Sequence, residues 1–167
     1  ACRAEADLPE WGIEIYEELD YLVSGNVNKT IPCDVFYVSF LAIDSETLPI
    51  MNATISAINP MTGESLDHGS TDQEGLVTLR LPGTTVDVKA EWLGRPIFSG
   101  EVGITQDKDS IDSINLQCTV HYVDVTVVDS EGDPVKDANI ILTNTGLIIE
   151  SKTTDEEGRQ ELRLPIG

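Results

Sequence analysis

Three aspartates in the stretch DKDSID have the residue type and spacing to bind a cation: Asp107, Asp109 and Asp112. Ca²⁺ takes about six to eight oxygen ligands, and closely spaced carboxylates can supply several of them. The stretch lacks the central glycine and the final glutamate of an EF-hand loop. It therefore predicts a weak calcium site at best, with a solvated loop as the alternative. No other cofactor is expected.

Three cysteines could form disulfide bonds between copies of the chain: Cys2, Cys33 and Cys118. Cys33 and Cys118 stand in similar surroundings, CDVFYV and CTVHYV, at equivalent places of a repeat. In an end-to-end array such places lie a domain length apart, beyond the Cα separation of about 7 Å that a disulfide can span. We therefore expect Cys2 to bridge to another subunit, while Cys33 and Cys118 are either further candidates or buried thiols.

Candidate catalytic residues are few. His68 lies in a predicted turn rich in Gly, Ser and Asp, and His121 lies on a predicted strand; neither belongs to a recognisable triad or metal motif. Paired carboxylates are common, but in a chain with 30 acidic residues most such pairs are coincidental. The sequence therefore predicts a protein that is not an enzyme.

The charge of the chain excludes two classes of partner. A net charge of −20 opposes binding to nucleic acid phosphates and to anionic membrane surfaces. No apolar run approaches the ~20 residues that cross a bilayer, so we expect no membrane insertion and a targeting peptide that has already been removed. Asn28 and Asn52 begin N-x-[ST] tripeptides and are glycosylation candidates. The predicted location is extracellular, at the cell surface.

An internal repeat determines which elements position these residues. TDQEGLVTLRLP at positions 71–82 returns as TDEEGRQELRLP at positions 154–165, a spacing of 154 − 71 = 83. Each copy predicts a polar turn, whose glycine can adopt positive φ, followed by an alternating strand that proline ends. Upstream matches, such as Asp44 with Asp129, have a spacing of 129 − 44 = 85. The chain therefore contains units of about 85 residues.

The second unit breaks off at position 167, and the half it lacks has a counterpart at the other end of the chain. LPEWGIEI at positions 8–15 resembles LPGTTVDV at positions 81–88. The predicted organisation is an N-terminal tail (1–9), a half unit (10–33), a complete unit (34–118) and an incomplete unit (119–167). The tail is expected to be a flexible leader.

Short apolar or alternating segments between turn signals predict an all-β fold of tandem β-sandwich units, the C-terminal one incomplete in cis. A short helix would also suit residues 11–27, but the repeat favours a strand beginning at Ile13. The other strands are expected near residues 36–43, 53–58, 76–81, 86–92, 121–128, 138–143 and 159–164.

The segment VDVTVVDSEGDPVKDANIIL, followed by TTDEEGRQELRLPIG, is similar to the carboxypeptidase regulatory-like, or transthyretin-like, Ig-like β-sandwich domain. In that family a strand leads into an Asp-x-x-Gly-x-Pro turn, a second strand and a Thr-Asp-x-x-Gly turn before a third strand. The resemblance covers residues 119–167 well and 34–118 recognisably. It implies a fold and no activity; by analogy it implies an accessory, adhesive or surface-array role.

An incomplete sandwich exposes apolar core and strand edges, which proteins rarely tolerate. A strand added from a neighbouring copy would cover them. The donor residues would be Ile13, Ile15, Tyr16 and Leu19. Because donor and acceptor surfaces differ, the contact propagates head to tail. We therefore predict a secreted structural subunit that binds itself in a homopolymeric filament, sheath or surface layer.

Two alternatives remain open at this point. The chain could be a fragment of a longer tandem-repeat surface protein, in which units outside it supply the missing strands in cis. It could instead be a monomeric module that recognises sugar or protein.

Overall fold

A computed structural model describes residues 2–8, 13–21, 33–109, 111–144 and 147–165, and in these residues the chain forms thirteen β-strands and no helix. The first nine strands are β1 (Cys2–Leu8), β2 (Ile13–Tyr21), β3 (Val35–Ile43), β4 (Thr54–Ile58), β5 (Ser65–Ser70), β6 (Leu76–Pro82), β7 (Thr85–Trp92), β8 (Arg95–Gly103) and β9 (Ile114–Gln117). The last four are β10 (Val120–Thr126), β11 (Asn139–Asn144), β12 (Leu147–Thr153) and β13 (Arg159–Pro165).

Residues 34–118 form a two-sheet sandwich. One sheet has the order β6-β3-β9, in which β6 is antiparallel and β9 parallel to β3. The other has the order β5-β4-β7-β8, with all neighbours antiparallel. Successive side chains of a strand point to opposite faces, so every second residue lies between the sheets. The fully buried residues of β3 and β7 are Val38, Phe40, Ala42, Val86, Val88 and Ala90.

Residues 119–165 repeat only part of this architecture. β10 pairs antiparallel with β13 as β3 pairs with β6, and β11 pairs antiparallel with β12 as β4 pairs with β5. Within the described part of this unit there are no counterparts of β7, β8 and β9. The described part of the C-terminal unit therefore consists of two strand pairs, β10-β13 and β11-β12.

Equivalent hydrogen bonds occur in the turns of the two units. Thr71 Oγ1 accepts the Ala53 N–H at 2.9 Å, and Thr154 Oγ1 accepts the Ala138 N–H at 2.9 Å. Both threonines are almost completely buried, at 2% and 3% exposure. A buried polar side chain is stable only when it is hydrogen-bonded, so this contact fixes the same chain path in each unit.

The glycine of each repeated turn is also required by its surroundings. Gly75 has φ +76° and Gly158 has φ +70°, a region that other residues rarely adopt. A Cβ atom would lie 2.7 Å from the Ala42 carbonyl oxygen in the first unit and 2.5 Å from the Val127 carbonyl oxygen in the second. The repeated glycine thus allows close packing of the turn on the first strand of each unit.

β1 and β2 form a separate antiparallel pair, with Leu8 opposite Ile13 and Cys2 opposite Tyr21. This corrects the prediction that residues 1–9 form a leader without regular structure. The segment CRAEADL alternates alanine with charged residues, which is the period of two that a strand requires, and β2 supplies its main-chain partner.

The predicted strands are all present to within a few residues, but the sequence pattern misses β1, β5, β8, β9 and β12. β5 contains His68. The sequence pattern places this residue in a turn because SLDHGS is a polar run. It is nevertheless a strand, since it pairs along the whole length of β4. No helix in the described residues is long and apolar enough to cross a membrane.

Candidate functional site

The C-terminal unit has a sheet edge that the complete unit covers. In the complete unit, β4 pairs with β5 along one edge and with β7 along the other. Its equivalent β11 pairs, among the described strands, with β12 alone. The open edge of β11 is therefore a place where a further strand could add through main-chain hydrogen bonds.

The side chains that correspond to core residues are partly exposed in the C-terminal unit. Val38 in β3 is 0% exposed, whereas its equivalent Val123 in β10 is 40% exposed. Five further pairs of equivalent residues differ in the same way, the first member being buried in the complete unit and the second half-buried in the C-terminal unit. These pairs are Phe40 and Val125, Ala42 and Val127, Ile50 and Val135, Ile55 and Ile140, and Ala57 and Leu142. The apolar face of β10 and β11 thus lacks the cover that a complete sandwich provides.

The two units meet at Asp44, whose side chain is 0% exposed. Asp44 Oδ1 accepts the main-chain N–H groups of Glu46 and Leu48, both at 2.9 Å. Asp44 Oδ2 accepts the hydroxyl of Tyr122 at 2.6 Å. One carboxylate therefore stabilises the turn after β3 and binds the first strand of the next unit.

Arg163 on β13 supplies the charge that this buried carboxylate needs. Its Nη2 lies 2.8 Å from Asp44 Oδ2, and both of its Nη atoms lie 3.3 Å from the Pro49 carbonyl oxygen. The guanidinium carbon lies 5.9 Å from the centroid of the Trp92 ring, within the range of a cation–π contact. Because an unpaired buried charge is costly, these contacts make the joint between the units specific.

The pKa values agree with this arrangement. Burial raises the pKa of Asp44, but the hydrogen bonds from Tyr122 and Leu48 and the charge of Arg163 outweigh it and hold the pKa below its usual value. Burial raises the pKa of Tyr122, and so do the hydrogen bond to Asp44 and the negative charge of that carboxylate, which together bring it to about 12. At neutral pH the tyrosine is therefore the donor and the carboxylate the acceptor.

A cleft of about 370 Å³ lies beside the joint. Its lining residues are Pro49, Ile50, Met51, Asn52, Trp92, Leu93 and Arg163. Asn52, a predicted glycosylation site, is exposed in a turn at this cleft and has φ 59°. The other predicted glycosylation site, Asn28, lies outside the described residues. Glycosylation of both remains a prediction.

The cysteines lie in different settings. Cys118 is buried beside the joint; its Sγ donates to the Leu116 carbonyl oxygen at 3.3 Å, and burial raises its pKa to about 11. A thiol with so high a pKa is little ionised at neutral pH and reacts slowly. Cys33 is half-buried before β3, and Cys2 begins β1. An intermolecular bridge through Cys2 remains a prediction.

The acidic insertion uses its carboxylates for internal hydrogen bonds. Asp107 Oδ1 accepts the Tyr37 N–H at 2.8 Å, and Asp109 Oδ1 accepts the Ile111 N–H at 2.8 Å. Asp112 Oδ2 lies 2.8 Å from Lys108 Nζ, and this hydrogen bond lowers the pKa of Asp112. No group of three metal-ligating side chains is present among the residues that the structure describes. Calcium binding by this insertion remains a prediction.

The predicted donor residues all lie on β2, which covers Ile13–Tyr21: Ile13, Ile15, Tyr16 and Leu19. In the single chain β2 pairs with β1, and among the described strands it has no second partner. One edge of β2 is thus available for pairing with another strand.

The residues of the joint are missed by sequence reasoning. The pattern assigns Asp44 to a turn and gives Tyr122 and Arg163 no role beyond their strands. The repeat could have indicated these residues, since an aspartate, a tyrosine and an arginine occupy the same three places in both units.

No family model matches the chain, and no curated protein matches it significantly. Among solved structures it is similar to the Bacillus anthracis TIE protein, at 18% identity and a TM-score of 0.40, over 92% of this chain and 34% of that one. It is similar to a streptococcal ancillary pilin at 12% identity and a TM-score of 0.37, over 92% of this chain and 59% of that one. A variant of the shaft pilin spaA from Lactobacillus rhamnosus GG matches at 9% identity and a TM-score of 0.37, over 80% of this chain and 83% of that one. The chain thus spans less than two thirds of the first two structures.

Proposed function

We infer that this protein is a structural subunit of an extracellular homopolymer. The N-terminal strand segment of one copy completes the C-terminal sandwich of the preceding copy, which is of the carboxypeptidase regulatory-like type. The observation that carries this proposal is the difference between equivalent core positions, such as Val38 at 0% exposure and Val123 at 40%. A face with the residues of a buried core but without its cover calls for the missing strands.

The complete unit indicates where the donor strand would lie. In it β7 pairs with β4, and Val88 stands opposite Ala57. By the repeat, Val88 corresponds to Ile15 (88 − 73 = 15) and Ala57 corresponds to Leu142 (57 + 85 = 142). We therefore place β2 of the next copy antiparallel to the open edge of β11, with Ile15 opposite Leu142.

The segment after β2 would supply the second missing neighbour. In the complete unit β9 runs parallel to β3, and Leu116 stands opposite Ala42. Ile31 precedes Cys33 by two residues, as Leu116 precedes Cys118. Ile31 of the next copy would thus lie beside Val127, the equivalent of Ala42, and cover the other side of the apolar face.

Burial of apolar side chains gives the contact its free energy. Ile13 and Ile15 would each contribute about 1.5–3 kcal/mol relative to exposure, before the entropy of ordering the segment is subtracted. Donor and acceptor are different surfaces of the subunit, so each copy can bind two others. The product is a filament, sheath or layer rather than a closed pair.

Deletion of residues 1–27 tests the proposal. The shortened chain should keep the circular dichroism of the complete unit, whose core lies within residues 34–118, and should fail to form polymers in sedimentation and electron microscopy. A peptide of residues 10–27 should cap growth of the intact protein. The peptide with Ile13→Asp and Ile15→Asp should not cap, because it places charge where apolar contact is needed.

A peptide with Glu14→Gln is the matched control, since position 14 lies on the opposite face of the strand, and it should cap as the unmodified peptide does. An intact protein that stays monomeric at high concentration would contradict the proposal and favour a monomeric module that binds sugar or protein. A deleted chain that still polymerises would contradict it too.

A further inference from the structure

We propose that the joint between copies reproduces the joint within the chain: Asp129 of one copy binds the Tyr37 hydroxyl and the Arg80 guanidinium of the next copy. This inference rests on the proposed head-to-tail assembly. It adds a polar lock, a second interaction site separate from the apolar strand contact.

Asp129 has the geometry that Asp44 uses as an acceptor. Its Oδ1 accepts the N–H groups of Glu131 at 2.9 Å and Asp133 at 3.0 Å, as Asp44 Oδ1 accepts two N–H groups of its own turn. These bonds lower the pKa of Asp129, so the carboxylate is charged at neutral pH. Asp44 is buried beneath the following unit, whereas Asp129 is exposed. The second turn thus has an acceptor that no described unit covers.

The complementary donors are present on the complete unit. Tyr122 and Arg163 stand opposite each other across β10 and β13. Tyr37 and Arg80 stand opposite each other across β3 and β6 in the same register. Tyr37 is 62% exposed and Arg80 is also exposed. The outward face of β3 and β6 therefore carries the same pair that binds Asp44 within the chain.

The path of the chain brings the two surfaces together. Within one copy β9 lies parallel to β3, the chain continues through Cys118, and Tyr122 follows four residues later (122 − 118 = 4). Tyr37 follows Cys33 at the same distance (37 − 33 = 4). A donor segment seated on β10 as β9 sits on β3 would therefore place Tyr37 at Asp129.

One contact of the internal joint would not recur. The Gln117 side-chain amide donates to the Asp44 carbonyl oxygen, and the position equivalent to Gln117 is Pro32 (117 − 85 = 32), which has no such donor. The carboxylate, hydroxyl and guanidinium are all retained. In a subunit with a net charge of −20, an arginine at a fixed position opposite an acceptor carboxylate also opposes repulsion between copies.

Two measurements on the full chain test the polar lock. A photo-crosslinking benzoylphenylalanine at position 37 should link to a peptide of a second copy that contains Asp129. Asp129→Asn keeps the Oδ1 acceptor of the turn but presents an N–H donor to the hydroxyl and guanidinium. It should raise the critical concentration for assembly by about tenfold, as expected when a hydrogen bond to a charged group is lost. Arg80→Asp should have at least as large an effect.

Arg95→Asp is the matched control, since this side chain is exposed and lies outside the proposed contact; it should assemble as the wild type does. The polar lock would be overturned if polymers that need residues 1–27 formed equally well with Asp129→Asn and their crosslinks lay elsewhere. Strand complementation would then still hold. If the wild type forms no polymer, or forms one without residues 1–27, the proposed function fails and the polar lock with it.

Discussion

The equivalence of Val38 and Val123 allows a matched experiment on the covered and the uncovered core. Alanine at either position removes two methyl groups, each worth about 0.8 kcal/mol when buried. Val38 is 0% exposed, so Val38→Ala should lose about 1.6 kcal/mol of transfer free energy and, with the cavity left behind, about 2.5 kcal/mol in all. Val123 is 40% exposed, so Val123→Ala should cost only about 1 kcal/mol in the single chain, where solvent already reaches the site.

Assembly should remove most of this difference. Once a donor segment covers β10, Val123→Ala should cost about as much as Val38→Ala does, and the extra 1.5 kcal/mol or so should raise the critical concentration about tenfold. Urea unfolding of the chain lacking residues 1–27 measures the first cost, and sedimentation of the intact chain measures the second. Equal costs in the shortened chain would show that the C-terminal unit is already closed, and an unchanged critical concentration would show that its face stays uncovered in the polymer.

Four further predictions concern the joint, the turns and the tail. Tyr122→Phe should lower the free energy of unfolding in urea by about 1.5 kcal/mol, because a hydrogen bond to a charged acceptor is lost. Since the pKa of Asp44 is lowered from 3.8, its contribution to stability should be complete well above pH 3.8 and lost as the pH falls below it, and Asp44→Asn should remove that dependence in acid titrations. Gly75→Ala should lower the melting temperature more than Gly94→Ala, because both have positive φ but only the first also meets neighbouring backbone. Cys2→Ser should abolish a thiol-sensitive ladder on non-reducing gels, and a free thiol at Cys2 in assembled material would rule out the bridge.

The strands that were predicted correctly are those whose burial can be inferred from the order of apolar and polar residues in the local sequence. β7 and β13 alternate apolar and polar residues because one face of each packs against a partner, and β3 is an almost continuous apolar run. β5 contains one large apolar residue and β9 has only four residues; both form because β4 and β3 offer main-chain partners that only the tertiary fold brings near. Pairing of this kind leaves little trace in sequence periodicity.

The candidate sites also divide into those that the sequence predicts and those that depend on the tertiary fold. The repeat predicts an incomplete unit, because counting matched segments reveals the missing half. The joint at Asp44 depends on Tyr122 and Arg163, which lie 78 and 119 residues further along the chain (122 − 44 = 78; 163 − 44 = 119). The spacing of the aspartates in the insertion predicts a cation site, which remains a prediction, but it does not reveal that Asp107 and Asp109 accept main-chain N–H groups.

The parallel pairing of β3 and β9 has a mechanical consequence. The chain enters the complete unit at the start of β3 and leaves it at the end of β9, and these strands are hydrogen-bonded side by side from Phe40 with Ile114 to Ile43 with Gln117. Tension applied along the backbone would pull the two strands past each other in shear. All the hydrogen bonds between them would then bear the load together, rather than opening one after another as in a peeled hairpin. The order of strands thus suits a module that carries longitudinal force from one neighbour to the next.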